Sequence, residues 1–291
     1  MITYKCKSCG GQMNFSGAGG FVCPYCDSKT FFTDEEFKGN EKFRKMLLQY
    51  YKAEAEKKEL DYSRDLLWET TGTDHFTMEN GQALEIAYLK KYDRSGYTCY
   101  LAKESVVYVF DDAKEAETFK NGIRKLVFPE ADNRLQRSFP ERKMEIGLKS
   151  GGKVLVYLRR PNCYPAEMFA PYVSEHLAWV ISRMENICCA LEYAGIEHGG
   201  IAPDTIWINP FSHEGLLFGD WRGIRSKRGT GDLVALRKTA IQLASDTREP
   251  RDLYHFLNSA PEADAFADFA KWDKVIEHGF GGHKFVRMDI V

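Results

Sequence analysis

The sequence predicts an α+β chain in two parts, a small cysteine-bound module at the front and a larger body whose strands come before most of its helices. Three observations predict it. Four of the eight cysteines fall in two C-x2-C pairs at the N-terminus. Between residues 75 and 160, short runs rich in β-branched and aromatic residues are separated by turn signals. From Ser174 onward, apolar residues recur at the 3-to-4 spacing of amphipathic helices.

The front module is built on Cys6, Cys9, Cys23 and Cys26, with thirteen residues between the pairs. Each pair fits a tight knuckle whose backbone N–H groups point at sulfur. Gly10-Gly11 relieves crowding after the first pair, and Pro24 stiffens the second. Gln12 to Phe15 and Phe21-Val22 are the expected hairpin arms, with Gly17, Gly19 and Gly20 in the turn. Residues 1–32 resemble the zinc-ribbon family. That resemblance implies a structural Zn²⁺ held by the four thiolates, closed to water and serving folding rather than catalysis. Lys5, Lys7 and Lys29 against Asp27 leave a slight positive excess, which is weak support for a nucleic-acid partner.

Residues 33–74 are read as a helical linker. Thr33 and Glu36 form a capping box. Phe43, Met46, Leu47, Tyr50 and Tyr51 make one apolar stripe in a helix running to about Leu60, and Gly39 is a candidate hinge.

In the body, LEIAYLKKYD, GYTCYLA and VVYVF read as strands, followed by the helical segment DDAKEAETFKNGIRKL. KMEIGL and KVLVYL flank the hairpin signal Lys149-Ser150-Gly151-Gly152. SEHLAWVISRMENICCALEYAG puts Leu177, Val180, Ile181, Met184, Ile187, Cys188 and Leu191 on one helix face, with Ser174 as its cap and Gly195 as its end. Cys188-Cys189 read as core, and the HGFGGHKF stretch holding His278 and His283 reads as a turn.

Five strands with one helix (75–160), then a helical region (161–291), resemble the bilobal protein-kinase fold. HGGIAPDTIWINP, GLLFGDW and TGDLVALR carry the resemblance. It implies that Asp232 braces the loop led by His198, and that Gly219-Asp220 stand at the metal-binding turn. It also implies that the family's Arg, Asp, Lys and Asn fall on Gly199, Gly200, Ala202 and Thr205. The aspartate that orients the acceptor and the asparagine that holds Mg²⁺ are then missing. Phe110 stands where the phosphate-pairing lysine would be, with Glu115 or Glu117 as that lysine's helix partner. Gly96 survives from the glycine-rich loop, and Lys103 is the nearest substitute lysine. Asp220, Gly96 and Lys103 are therefore the candidates for holding ATP and Mg²⁺, a poor set; catalytic residues are read as none. Asp204 reads as a capping or surface residue.

Apolar residues make up 44% and charged residues 28%, and the net charge of −2 excludes a global field for nucleic acid or anionic membrane. The first residues have no apolar core of a signal, and no apolar run reaches the roughly 18 residues of a membrane span. A cytoplasmic protein is expected. WRGIRSKRGTG, with Arg222, Arg225, Lys227 and Arg228, is a basic loop open to phosphate, nucleic acid or an acidic partner. The expected function is a pseudokinase acting as a scaffold through a protein partner. An atypical phosphotransferase using Asp220 and a zinc-ribbon adaptor for nucleic acid are the alternatives.

Overall fold

The computed structural model describes residues 4–6, 8–15, 20–31, 64–130, 135–245, 248, 250–284, 286 and 288. The linker helix read from Thr33 to Leu60 and the hairpin turn at 16–19 lie outside them. The front module is a four-stranded antiparallel sheet, β1 (Tyr4–Lys5), β2 (Gln12–Phe15), β3 (Gly20–Val22) and β4 (Lys29–Phe31), in sequential order. The expected arms pair in register, Asn14 opposite Val22 and Phe15 opposite Phe21.

The body begins earlier than the sequence suggests. Residues 64–71 are neither helix nor strand, and Leu67 is fully buried in the main core. Asp65 and Arg159 form a buried ion pair, and the Asp65 carboxylate also accepts from the Tyr164 hydroxyl at 2.7 Å. Arg159 further donates to the carbonyls of Ala102 (2.8 Å) and Cys163 (3.0 Å), and its guanidinium lies over the Tyr164 ring at 4.8 Å. A buried cation is tolerable because each face of its guanidinium is matched. This end of the predicted linker is thus part of the body.

Six strands, not five, make the large sheet: β5 (Gly72–Thr77), β6 (Ala83–Arg94), β7 (Tyr97–Ala102), β8 (Ser105–Phe110), β9 (Arg142–Gly147) and β10 (Lys153–Leu158). Their order is β5-β6-β7-β8-β10-β9. The strand missed from sequence, GTDHFT, alternates between exposed and half-buried positions and so lacks a strong apolar signal. The sheet's two outer strands meet at one end, where Glu79 N–H donates to Gly147 O (3.0 Å) and Lys149 N–H to Thr77 O (2.9 Å). The curled sheet therefore has two apolar faces. Val107 and Val109 point into a small inner core with Ile86, Tyr100 and Val154, while Val106, Tyr108 and Phe110 face the main core. Burial on both faces is why VVYVF is continuously apolar instead of alternating.

Helix α1 (Ala113–Ile123) packs beside the sheet, capped by the Asp112 carboxylate accepting from Lys114 N–H at 2.8 Å. The second lobe holds α2 (Ser174–Tyr193), α3 (Gly231–Leu243), α4 (Arg251–Asn258) and α5 (Ala265–Phe280). Short strands β11 (Tyr164–Pro165), β13 (Ile206–Asn209) and β14 (Glu214–Leu217) form one sheet, and β12 (Ile196–Glu197) pairs with β15 (Arg225–Ser226). Ser174 is the first helical residue and not the cap, which is Val173 without a side-chain bond. Gly195 ends the helix at φ +64. Cys188 is buried and Cys189 half-buried, as core residues. His278 lies in the last turn of α5, and the left-handed residue that ends the helix is Gly281.

Candidate functional site

In the front module, the two knuckles are closed by Gly10 N–H to Cys6 O (2.8 Å) and Asp27 N–H to Cys23 O (2.9 Å). Gly10 sits at φ +75, a conformation that glycine adopts without strain. The knuckles bring all four sulfurs within 4.8 Å of one another, with Cys6–Cys26 at 3.5 Å and Cys9–Cys23 at 3.4 Å. A tetrahedron with metal–sulfur bonds of about 2.3 Å has edges of about 3.8 Å. The four thiols fit a single tetrahedral ion. Backbone N–H donation, first from Cys9, lowers the Cys6 thiol to about 6. That favours a thiolate at Cys6. At Cys9, against the pull of the Gly11 N–H, the side-chain bonds to Cys23 and Cys26 push the thiol up to about 12.

The second candidate is the seam between the lobes. His198 to Thr205 run between α2 and β13 as a loop held from beneath. The buried Asp232 carboxylate, on the first turn of α3, accepts from His198 N–H (2.8 Å) and Gly199 N–H (2.7 Å). Burial raises its pKa above the ordinary range, while these two bonds lower it. Gly200 N–H donates to His198 Nδ1 at 3.1 Å, and the ring meets Trp221 edge-on at 4.6 Å. Burial lowers His198 to about 4, so it is neutral at pH 7 and sealed from solvent. A Cβ on Gly219 would lie 2.4 Å from the ring, so glycine is what admits the imidazole. Thr205, on the position of the metal-holding asparagine, turns inward. Its hydroxyl accepts from Ala202 N–H (2.9 Å) and donates to Gly200 O (2.7 Å).

Asp220 is occupied by the chain itself. Arg222 grips it with two guanidinium nitrogens, Nε–Oδ1 at 2.9 Å and Nη2–Oδ2 at 2.6 Å, and the Arg222 backbone N–H adds a third bond at 3.0 Å. The same guanidinium crosses to the sheet lobe. It pairs with Glu115 of α1 at 2.6 Å, donates to Ser95 O at 2.9 Å, and lies over the Tyr97 ring at 4.8 Å. Asp220, and then Glu115, stabilise its charge and raise its pKa. Gly96, at φ +82, is brought to this point, but a Cβ there would sit 3.0 Å from Arg222 Nη1. The turn therefore lies against an arginine of its own chain. Glu115 has a cationic partner as expected, though a different one.

Lys103 does not join these residues. It is exposed in the β7–β8 turn, whereas Gly96 lies at the other end of β7. Six residues of strand separate the two, roughly 20 Å. Phe110 is fully buried in a ring cluster with Tyr97 (5.2 Å), Phe119 (5.3 Å) and Tyr108 (6.4 Å). The Phe110 position is filled by aromatic packing. One space between the lobes, bounded by Tyr92, Tyr97, Tyr108 and Phe218, measures about 20 Å³. A small-molecule pocket spans roughly 300–1,000 Å³.

Further contacts hold the seam closed. Glu167 accepts from Lys90 (2.6 Å) and Tyr92 (2.8 Å) of β6. Arg94 pairs with Asp204, which settles the place of that carboxylate as a bridge between the lobes. The backbone of Gly122 meets the turn after Asp220 so closely that a Cβ would lie 1.8 Å from Trp221 O. Lys125 donates to Ile224 O at 3.0 Å. Sequence reading gives Arg222 only as one charge of a basic loop and misses Arg94 and Glu167; their partners across the seam lie 75 to 127 residues away. The basic loop is largely spent as well: Arg225 pairs with Glu197 (2.6 Å) and Lys227 with Glu192 (2.5 Å), leaving Arg228 exposed.

A curled sheet with one helix, a helical lobe, a His-led loop braced by the following helix, and a Gly-Asp turn after β14 together make a kinase-like bilobal fold. No family model and no curated protein matches the chain. Among solved structures it is similar to WbdD, described as a bifunctional kinase-methyltransferase, at 13% identity and a TM-score of 0.48 over 66% of this chain. It covers 46% of that protein, under half its length. It is similar also to the ROP18 kinase domain (14% identity, TM-score 0.44, 82% of this chain and 95% of that one). A rhoptry antigen kinase domain of Toxoplasma gondii gives 12% identity and a TM-score of 0.49, covering 84% and 98% of the two chains.

Proposed function

We propose that this chain is a catalytically inactive, kinase-like binding module, carrying a structural zinc in its front domain and acting through a protein partner in the cytoplasm. The observation that carries the reading is Arg222, whose guanidinium spans Asp220 and Glu115. It supplies from within the chain the positive charge that a metal ion and a lysine would bring to these two carboxylates. Gly200 and Thr205 stand where the resembled family has the aspartate that orients an acceptor hydroxyl and the asparagine that holds Mg²⁺. A positioned base alone is worth about 10²- to 10⁴-fold, and phosphoryl transfer leans further on charge stabilisation. The retained parts serve rigidity: Asp232 fixes the loop, and four side chains tie the lobes together. The thiol spacing supports Zn²⁺ among the ions that take four sulfurs. Among the described residues no helix is long and apolar enough to cross a membrane.

The test is a thermal melt of the full chain with ATP and Mg²⁺, run beside radiolabelled phosphate transfer. No shift and no transfer are expected. A shift of several degrees that Asp220→Ala abolishes would refute the occupied seam, and transfer abolished by the same substitution would refute the inactive reading outright. Metal analysis is expected to return one zinc per chain, lost in Cys23→Ser.

A further inference from the structure

A cavity away from the seam, between α2 and α5 in the helical lobe, measures about 580 Å³. That volume falls within the range of small-molecule pockets. Its walls are apolar and aromatic, with Trp179 on α2 facing Phe269, Ile276 and Phe280 of α5. Trp179 is stacked flat on His213, 4.1 Å between centroids and 3° between planes, which fixes the indole. Such a wall suits a flat or aliphatic body.

Two donors in this wall have no acceptor among the described residues. Trp179 is 7% exposed and its indole N–H is buried with no hydrogen-bond partner. Arg183, one turn further along α2, has its Nε buried in the same state. Among the described residues no carboxylate pairs with this guanidinium. Glu214 acts on it only at longer range, and is itself 3.6 Å from Arg160. The neighbouring Ser182 hydroxyl is already committed, accepting from Trp272 Nε1 (2.8 Å) and donating to Ala178 O (3.0 Å). Burial without a partner destabilises a polar group, and a charge far more. Lys284 adds a second cation to the lining, whose single carboxylate is the exposed Glu175. A chamber with an aromatic and aliphatic wall, a half-buried guanidinium that no carboxylate pairs with among the described residues, and Lys284 at its lining is complementary to an anion with an apolar body.

We infer that this cavity binds a small amphiphilic carboxylate, its acid group on the Arg183 guanidinium and its apolar part between α2 and α5. The inference stands independently of how the seam is read. A direct probe is 1-pyrenebutyrate, whose pyrene accepts excitation energy from nearby tryptophan, with uncharged 1-pyrenebutanol as its partner probe. Titrated into the full chain, pyrenebutyrate is expected to quench tryptophan emission saturably and to bind at least about 10-fold more tightly than the alcohol, a charge-assisted contact being worth more than a neutral one. Arg183→Met is expected to abolish that preference while leaving the far-ultraviolet circular dichroism unchanged, and Arg183→Lys to restore part of it. Absence of saturable binding to the folded wild type overturns the proposal. So does equal binding of acid and alcohol, or a preference that survives in Arg183→Met.

Discussion

Replacing Arg222 by Met keeps most of the side chain's bulk and removes its charge. In the folded protein that charge meets Asp220, Glu115 and the Ser95 carbonyl, with its own side chain 18% exposed and the two carboxylates 38% and 45% exposed. Carboxylates so open to water recover much of what they lose, and exposed pairs are worth about 0.2–1 kcal/mol. The two-pronged grip on Asp220 sits above that range because hydrogen bonds to a charged group contribute about 1.5–3 kcal/mol. Taken together the loss comes to about 2 kcal/mol, which for a body of this size lowers Tm by about 4–8 °C. The variant also leaves two carboxylates at the seam with no cation between them. Millimolar Mg²⁺ is then expected to raise the melting temperature of Arg222→Met and leave the wild type unmoved, as read by differential scanning fluorimetry. If Mg²⁺ stabilised both proteins alike, or the variant melted with the wild type, Arg222 would not be an internal counter-ion.

Two further substitutions test the packing. Gly122→Ala improves helix propensity by about 1 kcal/mol, yet its new methyl would fall on Trp221 O; net destabilisation of about 1–3 kcal/mol is expected in urea unfolding, and a stabilised variant would show that α1 does not press on that turn. Glu185 on α2 is fully buried, and burial, followed by the nearby Asp268, raises it to about 9. The folded state therefore holds a proton that the unfolded state releases near pH 4.5, so this group's contribution falls as pH climbs from there towards 9. Glu185→Gln is expected to flatten the decline in stability between pH 7 and 9, and an unchanged pH profile would exclude this residue as its source.

Local order was open to sequence reading wherever one physical signal dominated. The thiol spacing located the front module, continuous apolar runs marked β8 and β10, and the 3-to-4 pattern marked α2. His198 and Asp232 were paired through the kinase resemblance, and the two backbone bonds bear that out. What failed has a common cause. β5 is an outer strand whose residues stay half in water, so it carries no hydrophobic period. Lys103 was chosen for nearness along the chain, but a strand of six residues turns nearness into distance. Arg222 was visible only as one charge in a basic loop. Its role depends on Glu115 and Ser95, which the fold alone brings to it. Ser174 failed as a cap because Val173 already occupies the boundary.

The buried pairing of Arg159 with Asp65 has a mechanical consequence. Arg159 follows directly on β10, at the joint between the lobes, and binds the chain at the point where it enters the body. A pull arriving through residue 64 is therefore not absorbed by a loose end. It is delivered to the joint itself, through a guanidinium that also holds the carbonyls of Ala102 and Cys163. Tension from the front module would load this joint before it reached either lobe.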